Sequence, residues 1–121
     1  MFRYIMVGAN DVPTSKRFYD AILGALGYPP GIMDEREHGL YINKAGTLII
    51  TRPPNGAPAT GANGGTIGFS AKNIAEVDAW HAAGIANGGT SCDDPPGQRQ
   101  NGFYMASLLD PAGNKLCAAC R

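Results

Sequence analysis

The chain of 121 residues has no excess of charge and no long apolar run. Ten basic side chains balance ten acidic ones, so the formal net charge is zero. This balance argues against a nucleic-acid partner or an anionic membrane surface, because both call for a basic patch. No apolar run approaches the roughly 18 residues of a membrane-spanning helix. The first ten residues lack the layout of a signal peptide, and we therefore expect a cytoplasmic protein.

Cysteine and histidine are also scarce. The three cysteines are Cys92, Cys117 and Cys120, an odd number that does not suit a disulfide framework. Cys117 and Cys120 form a Cys-x-x-Cys, but on a strand such positions point to opposite faces, so the pair cannot readily chelate one ion. The two histidines are His38, in a strand break beside acidic residues, and His81, which we place near solvent on a helix.

The chain does have many glycines, 17 in all, and an internal repeat. Sliding the first half along by 62 residues (66 − 4 = 62) places Tyr4–Val7 on Thr66–Phe69, Asp11 on Asn73, Phe18 on Trp80, Leu23 on Ile85 and Gly27 on Gly89. Each half reads as a short apolar strand, a helix-capping Asp or Asn, an apolar helix stripe and a closing glycine. The chain therefore contains two similar units, over about 1–52 and 66–121, joined by a linker at 53–65.

In unit one, the pattern predicts a strand over 3–8 and a helix capped by Asp11, with Pro13 in its first turn. The helix stripe consists of Phe18, Ile22, Leu23 and Leu26. Three short strands follow, over about 31–36, 38–44 and 47–52. The linker after them has a turn-forming residue at nearly every step and no periodicity.

In unit two, the pattern predicts a strand over 66–71, a helix over about 74–87 capped by Asn73, and strands over about 90–92, 103–109 and 115–120. The buried side of this helix is expected to carry Val77, Trp80, Gly84 and Ile85. A loop spans Asp93 to Gly102, and Asp110–Asn114 forms a tight turn.

Each half is therefore a β-α-β-β-β unit, and the chain is a single domain of the α+β class. Strands joined by turns of two to four residues pair mainly antiparallel. We expect the two units to curl a mixed, mainly antiparallel sheet around a cleft, with the helices outside. The first and last strands of each unit should line that cleft.

Sequence motifs in both units resemble one known family. In unit one they are Asn10-Asp11, Arg17–Asp20 and Leu23-Gly24, and in unit two they are Gly68-Phe69, Asn73, Val77-Asp78 and Asp110–Leu116. On these residues the chain resembles the vicinal oxygen chelate superfamily of glyoxalases, bleomycin-resistance proteins and extradiol dioxygenases. The resemblance implies the fold just described and a homodimer. It leaves the activity open, since this fold hosts several reactions and some pure binders.

The resemblance also implies where a catalytic metal would bind. In this family the ligands come from the first and last strands of each unit, which here points to Tyr4, Thr66, Cys117 and either Ile50 or Thr51. None of these is His, Asp or Glu, whereas an enzymatic divalent ion needs about three charged or imidazole ligands. We therefore expect no metal and no cofactor, and no catalytic residue can be assigned.

The hypothesis from the sequence is a protein that binds a small organic ligand in an apolar cleft. The candidate ligand-binding residues are Tyr4, Thr51, Arg52, Thr66, Arg99, Tyr104 and Cys117. An arginine at the cleft mouth would favour an anionic ligand such as a carboxylate. The simpler alternatives are hydroxyls that bond each other or the backbone, and arginines that are only solvated.

Two other functions stay open at this point. A metal-dependent lyase, isomerase or dioxygenase would need a ligand from an unexpected place, such as His38. An interaction or assembly module would have a filled cleft. Whether the chain is an enzyme is not decided by its sequence.

Overall fold

The computed structural model describes residues 1–121, and its elements follow the repeat. Unit one contains β1 (Tyr4–Gly8), α1 (Val12–Ala25), β2 (Ile32–Met33), β3 (Gly39–Asn43) and β4 (Gly46–Thr51). Unit two contains β5 (Ile67–Ser70), α2 (Ile74–Ala86), β6 (Thr90–Ser91), β7 (Gly97–Gln98), β8 (Tyr104–Leu109) and β9 (Lys115–Cys120). The predicted α+β class and the two βαβββ units are confirmed. Neither helix is long and apolar enough to cross a membrane.

Each unit has its own mixed sheet. The strand order is β1-β4-β3-β2 in unit one and β5-β9-β8-β6 in unit two, with β7 also paired to β8. The first and last strands of each unit run parallel, and all other pairs are antiparallel. β1 and β5 lie at the edges of their sheets and are not hydrogen-bonded to each other, so the two sheets do not close into one.

The α1 helix begins where its capping residue predicts. The Asp11 carboxylate accepts a hydrogen bond from the Thr14 amide at 3.0 Å, and a proline occupies the first turn. The helix ends before Gly27, whose φ of +92° few other residues adopt. Its apolar stripe, Phe18, Ile22, Leu23 and Leu26, is buried as expected.

The α2 helix has a reciprocal cap. Asn73 accepts from the Glu76 amide, and the Glu76 carboxylate accepts from the Lys72 amide, both at 2.9 Å. Val77, Trp80 and Gly84 are buried, as predicted. The prediction for Ile85 is wrong, because this side chain is 45% exposed. One residue after Gly84 the helix has turned by about 100°, which carries position 85 away from the packed side.

The helices pack against each other and against the sheets, and they share one core. Gly84 allows this close approach, because a Cβ there would collide with Leu108 of β8 and lie 3.3 Å from Ile22 of α1. Trp80 and Phe18, which the repeat makes equivalent, are both fully buried in the same cluster. The two units are therefore joined through their helices, and no helix covers the opposite face of either sheet.

A second connection between the units passes through Asp110. Its Oδ2 accepts from the Tyr19 hydroxyl of α1 at 2.6 Å and from Asn114 Nδ2 at 2.8 Å. Asn114 Nδ2 also donates to the Gly8 carbonyl of β1 at 2.9 Å. Burial, and then the neighbouring Asp110 carboxylate, raise the pKa of Tyr19, so its hydroxyl stays a donor.

Two elements differ from the sequence prediction. The strand expected over 31–36 is shortened to β2, because Asp34 accepts hydrogen bonds from the Arg36 and His38 amides and forms a turn instead. The loop expected from Asp93 to Gly102 contains the short strand β7, which pairs with β8. Two residues are too few to give a periodic signal in the sequence.

Candidate functional site

The uncovered face of the unit-one sheet is apolar. Side chains paired across neighbouring strands share a face, and here Met6 lies beside Ile49, which lies beside Leu40. In the next row, Tyr4 and Ile42 flank Thr47 and are 57% and 67% exposed. We call this surface the open face of unit one. It offers little hydrogen bonding, and its large apolar side chains are in contact with solvent.

The uncovered face of the unit-two sheet is polar and concave. Thr66, Met105, Ser107, Lys115 and Cys117 form its floor. The wall is formed by residues of the segment 93–101, and the cavity is open to solvent, with a volume of about 970 Å³. We call this cavity the polar cup. It faces away from the helices, since the neighbours of its floor residues, Leu108 and Leu116 among them, point into the core.

The cup contains an ion pair between two of its lining residues, Lys115 and Asp93. Lys115 Nζ lies 2.5 Å from the Asp93 carboxylate, and this hydrogen bond raises the pKa of Lys115. Asp93 adopts a left-handed conformation with φ of +56°, which Asp tolerates better than most residues. The turn at Asp93 brings the carboxylate to the lysine, and the two charges cancel.

Arg99 is the cation of the cup that has no carboxylate partner. Its Nη1 donates to the Gly97 carbonyl and its Nη2 to the Asp94 carbonyl, both at 3.2 Å. These bonds hold the guanidinium against its own loop and use two of its five N–H donors. The remaining donors can bind a ligand oxygen.

The cup thiol is held neutral. Cys117 is buried, and burial raises its pKa, so little thiolate forms near neutral pH. Cys92, which follows β6, also has a pKa raised by burial and by the adjacent Asp93. Neither residue has the electropositive setting of a reactive cysteine. Cys117 therefore contributes shape and weak hydrogen bonding to the cup.

The structure brings together only three of the residues predicted to bind a ligand. Thr66, Arg99 and Cys117 line the polar cup. Tyr104 lies outside it, because its ring is on the helix side of β8 and its hydroxyl donates to Asp78 of α2 at 2.7 Å. Tyr4 lies on the open face of unit one.

The other two predicted residues, Thr51 and Arg52, also lie outside the polar cup. Thr51 is buried at the end of β4, and its hydroxyl donates to the Arg52 carbonyl at 3.1 Å. The Arg52 side chain is exposed. The linker folds back over this end of the sheet, where the Ala59 amide donates to Asn10 at 2.8 Å.

The residue of unit one that corresponds to Cys117 is Ile49. Ile5 pairs with Leu48 in unit one, and Ile67 pairs with Leu116 in unit two, so the first strands are offset by 62 (67 − 5) and the last strands by 68 (116 − 48). The expectation of Ile50 or Thr51 is therefore corrected, and Ile50 is fully buried in the core. Matching the turn glycines of the two units gives the wrong register for their last strands, because the turn before β4 has two residues and the turn before β9 has five.

The family's metal does not fit these residues. The corresponding positions are Tyr4, Ile49, Thr66 and Cys117, which offer a phenol, a hydroxyl and a thiol but no carboxylate or imidazole. No three His, Cys, Asp or Glu side chains converge anywhere in the structure.

The two histidines do not supply a ligand from elsewhere. His38 is paired with Asp34 at 3.2 Å, and His81 with Ser91 at 3.0 Å. Both lie outside the cup and are not among the residues that line it. No reaction step can therefore be assigned to a bound metal at the positions that the family uses.

A second cavity of about 460 Å³ lies beside the cup. It is bounded by the start of β1, the 28–32 segment, β3, β4 and the edge strand β5. Its walls are mainly aromatic and aliphatic and include Phe2, Tyr4, Leu23, Tyr28, Ile67 and Phe69. We call it the apolar slot. It provides the apolar surface expected around the cleft, but in a different cavity from Arg99.

Several residues of the cup were not predicted from the sequence. The alternation of side chains along a strand could have indicated Lys115, which lies two residues before Cys117 and therefore faces the same side. Ser107 shares this face because it pairs with Cys117 across the sheet. Asp93 had no such signal, because its position depends on how the loop folds.

Comparison with known proteins places the whole chain in one group. The model of the Glyoxalase/Bleomycin resistance protein/Dioxygenase superfamily matches residues 2–118. A glyoxalase/bleomycin resistance protein from Albidiferax ferrireducens T118 is 53% identical, with a TM-score of 0.95 over 100% of this chain and 99% of that chain. No curated protein matches.

Two more distant solved structures share the fold. A glyoxalase-related enzyme from Fulvimarina pelagi is 20% identical, with a TM-score of 0.80 over 98% of this chain and 86% of that one. A lactoylglutathione lyase from Agrobacterium tumefaciens is 23% identical, with a TM-score of 0.68 over 98% of this chain and 92% of that one. At these identities the likeness bears on the fold alone.

Proposed function

Since this chain belongs to the Glyoxalase/Bleomycin resistance protein/Dioxygenase superfamily, we propose that it binds a small organic ligand in the polar cup without a catalytic metal. The observation that carries the proposal is the composition of the cup. It gathers a guanidinium, an ammonium, two carboxylates, hydroxyls and a neutral thiol, and it has no group of three His, Cys, Asp or Glu side chains that could hold a metal ion. Such a cavity can orient a polar molecule by hydrogen bonds.

The hydroxyls of the cup support this assignment. Neither Thr66 nor Ser107 uses its hydroxyl in a hydrogen bond within the protein, and neither hydroxyl is sealed from solvent. The simpler alternative, in which Tyr4 and Thr66 bond each other, does not describe the structure, because these residues line different cavities. The free donors are therefore directed at the cup.

A thermal-shift screen tests the proposal. Metal-free protein is screened against glutathione conjugates, aromatic diols and antibiotics, and a ligand present at about 100 times its Kd stabilises the folded state by about 2.7 kcal/mol. We expect a raised midpoint with at least one of them, and loss of that rise in Ser107→Ala. Arg52→Gln, which changes a cation outside the cup, is the matched control and should keep the rise.

The metal-dependent lyase, isomerase or dioxygenase is tested in parallel. Purified protein is incubated with Ni²⁺, Zn²⁺ or Fe²⁺, desalted, and analysed for bound metal. We expect substoichiometric metal. One tightly bound ion per chain, lost on substitution of Cys117 or Thr66, would overturn the metal-free assignment.

We also propose that two copies associate through the open face of unit one. Exposed apolar patches of this kind favour burial against a partner, and Ile42 and Ile32 are each about two-thirds exposed. Light scattering should report a dimer, and Ile42→Asp should shift it toward monomer. A monomeric wild-type protein would contradict the proposed association.

The three free cysteines suit a reducing compartment, which supports a cytoplasmic location.

A further inference from the structure

The apolar slot occupies a gap between the two sheets. The edge strands β1 and β5 both line it, but their Cα atoms are everywhere more than 8 Å apart, whereas paired strands lie roughly 4.8 Å apart. On the helix side its walls include Ile5 of β1 and Ile67 and Phe69 of β5, which are only partly buried. The apolar core is therefore accessible from the gap.

The gap is bridged at one end only. At the end of β1, the Asn114 side chain of unit two donates to the Gly8 carbonyl at 2.9 Å. The last strands are offset by 68 and the first strands by 62, so the counterparts of these two residues are Gly46 (114 − 68 = 46) and Ser70 (8 + 62 = 70). Gly46 has no side chain that could donate to the Ser70 carbonyl. The slot lies at this unbridged end, where Gly46 is one of its lining residues.

The slot also presents an unpaired backbone donor and acceptor, at Gly68. In a parallel pair of strands, alternate residues direct both backbone groups at the neighbouring strand. The Ala71 amide donates to the Ala119 carbonyl of β9, so Ile67 and Phe69 face β9 as well, and Gly68 faces the gap. Gly68 has no side chain and therefore lines the slot with its backbone. Its N–H and C=O have no partner in the protein, since β5 pairs with β9 alone.

The rest of the lining favours a small neutral ligand. Arg3 is the one charged lining residue, and it is exposed. The volume of about 460 Å³ is that of a small-molecule site. An extended peptide does not fit along the gap, because the bond between Asn114 and Gly8 closes its far end.

We propose that the apolar slot is a second ligand site, separate from the polar cup, for a neutral flat aromatic molecule with a lactam edge. The lactam N–H donates to the Gly68 carbonyl, and the lactam carbonyl accepts from the Gly68 amide, as two paired residues do in an antiparallel sheet. The aromatic body lies against Ile5, Ile67 and Phe69. The inference does not rest on ligand binding in the cup, nor on association through the open face of unit one, because these walls are on the helix side.

2-Quinolinone tests the proposal, because it is a neutral, flat, bicyclic lactam. It is titrated into the ¹⁵N-labelled full chain and followed by ¹H–¹⁵N correlation spectra. We expect one probe per chain and a shift of the Gly68 amide resonance. N-methyl-2-quinolinone is the matched control probe, and it should bind at least about tenfold more weakly, because it lacks the N–H that donates to the Gly68 carbonyl.

One substitution tests the wall of the slot. Ile67→Ala should weaken binding of 2-quinolinone about threefold or more, because the aromatic body loses apolar contact. Ile85→Ala is the matched control, since Ile85 is 45% exposed on α2 and lines neither cavity, and it should leave the Kd unchanged. Circular dichroism and the unfolding midpoint establish that each variant folds. If Ile67→Ala does not fold, Ile67→Val replaces it, with a smaller expected loss.

Three outcomes would overturn the inference. Equal affinity for the two quinolinones would exclude recognition by the Gly68 backbone. Shifts confined to Thr66, Arg99 and Cys117 would place the probe in the cup instead of the slot. Absence of binding up to the solubility limit of 2-quinolinone would exclude the lactam class. In each case ligand binding in the cup is still decided separately by the thermal-shift screen.

Discussion

In unit one the uncovered sheet face presents Met6, Ile42 and Ile49, whereas in unit two the equivalent face presents Ser107, Lys115 and Cys117. The buried faces of the same sheets are alike, because both pack apolar residues against a helix. The repeat is thus preserved where it determines packing and lost where it faces solvent. One copy carries a polar cavity, and the other carries an apolar surface.

The turns that precede the last strands differ in the same way. In unit two, Asp110 accepts four hydrogen bonds, from Tyr19, the Asn114 side chain and the amides of Ala112 and Asn114. In unit one, Asn43 accepts one, from the Ala45 amide. The unit-two turn therefore connects the two units, while the unit-one turn is local.

The largest expected effect is the loss of this connection. Asp110→Ala should lower the free energy of unfolding by about 3 kcal/mol or more, because it leaves the buried Tyr19 hydroxyl without an acceptor and removes one of the two acceptors of Asn114 Nδ2. Asn43→Ala, in the exposed turn, should cost about 1 kcal/mol or less. Urea denaturation measures both. Equal costs for the two variants would contradict the difference between the turns.

The next largest effect on stability is expected at a position where the two units carry different side chains. Position 84 corresponds to position 22 (84 − 62 = 22), and the two residues are Gly84 and Ile22. Gly84→Val should destabilise by about 2 kcal/mol, because its Cβ meets Leu108. Gly24→Ala, in a helix with no atom near the new Cβ, should be neutral or stabilising by up to about 1 kcal/mol. Thermal unfolding decides, and a neutral Gly84→Val would refute the close packing.

The smallest effect concerns two tyrosine–aspartate pairs. Tyr41 donates to Asp20 at 2.6 Å in unit one, and Tyr104 donates to Asp78 at 2.7 Å in unit two. Partial burial alone would raise the pKa of Asp20, but hydrogen bonds from Tyr41, Lys16 and the Gly31 amide outweigh it and lower the pKa below 3.8.

The sign of the pH dependence follows from that shift. A lowered pKa in the folded state stabilises the protein above pH 3.8, and this contribution is lost as the pH falls through the folded value. Asp20→Asn should therefore cost about 1 kcal/mol at pH 7, and its difference from the wild type should shrink below pH 3.8. Asp78→Asn, in the exposed pair, serves as the control. Urea titrations at pH 7 and pH 3 test this, and a difference that does not depend on pH would contradict it.

Much of the fold was predictable because its signals are local. Asp11 and Asn73 both cap helices as expected, since an Asx side chain bonds amides only three residues away. The stripe at Phe18 and Trp80 is buried because helical spacing places it on one side. The exception, Ile85, belongs to the edge of such a stripe, where the neighbouring element decides burial.

The candidate site was less predictable because it depends on register and loop course. The shift from Ile50 to Ile49 moves a side chain from the core to the open face, since strand side chains alternate. Tyr104 was assigned to the cleft, but its ring lies on the helix side of its sheet. Asp93 enters the cup only because its loop turns back toward Lys115.

The sequence by itself determined two βαβββ units, their caps, their buried stripes and the absence of a carboxylate or imidazole at the family's metal positions. These follow from residue identity and short-range periodicity. Only the tertiary structure decided that Thr66, Arg99 and Cys117 share a polar cup while Tyr4 lies in an apolar slot beside it. The physical reason is that strand pairing and helix packing join residues far apart in the chain, and a one-residue change of register reverses which side chains meet.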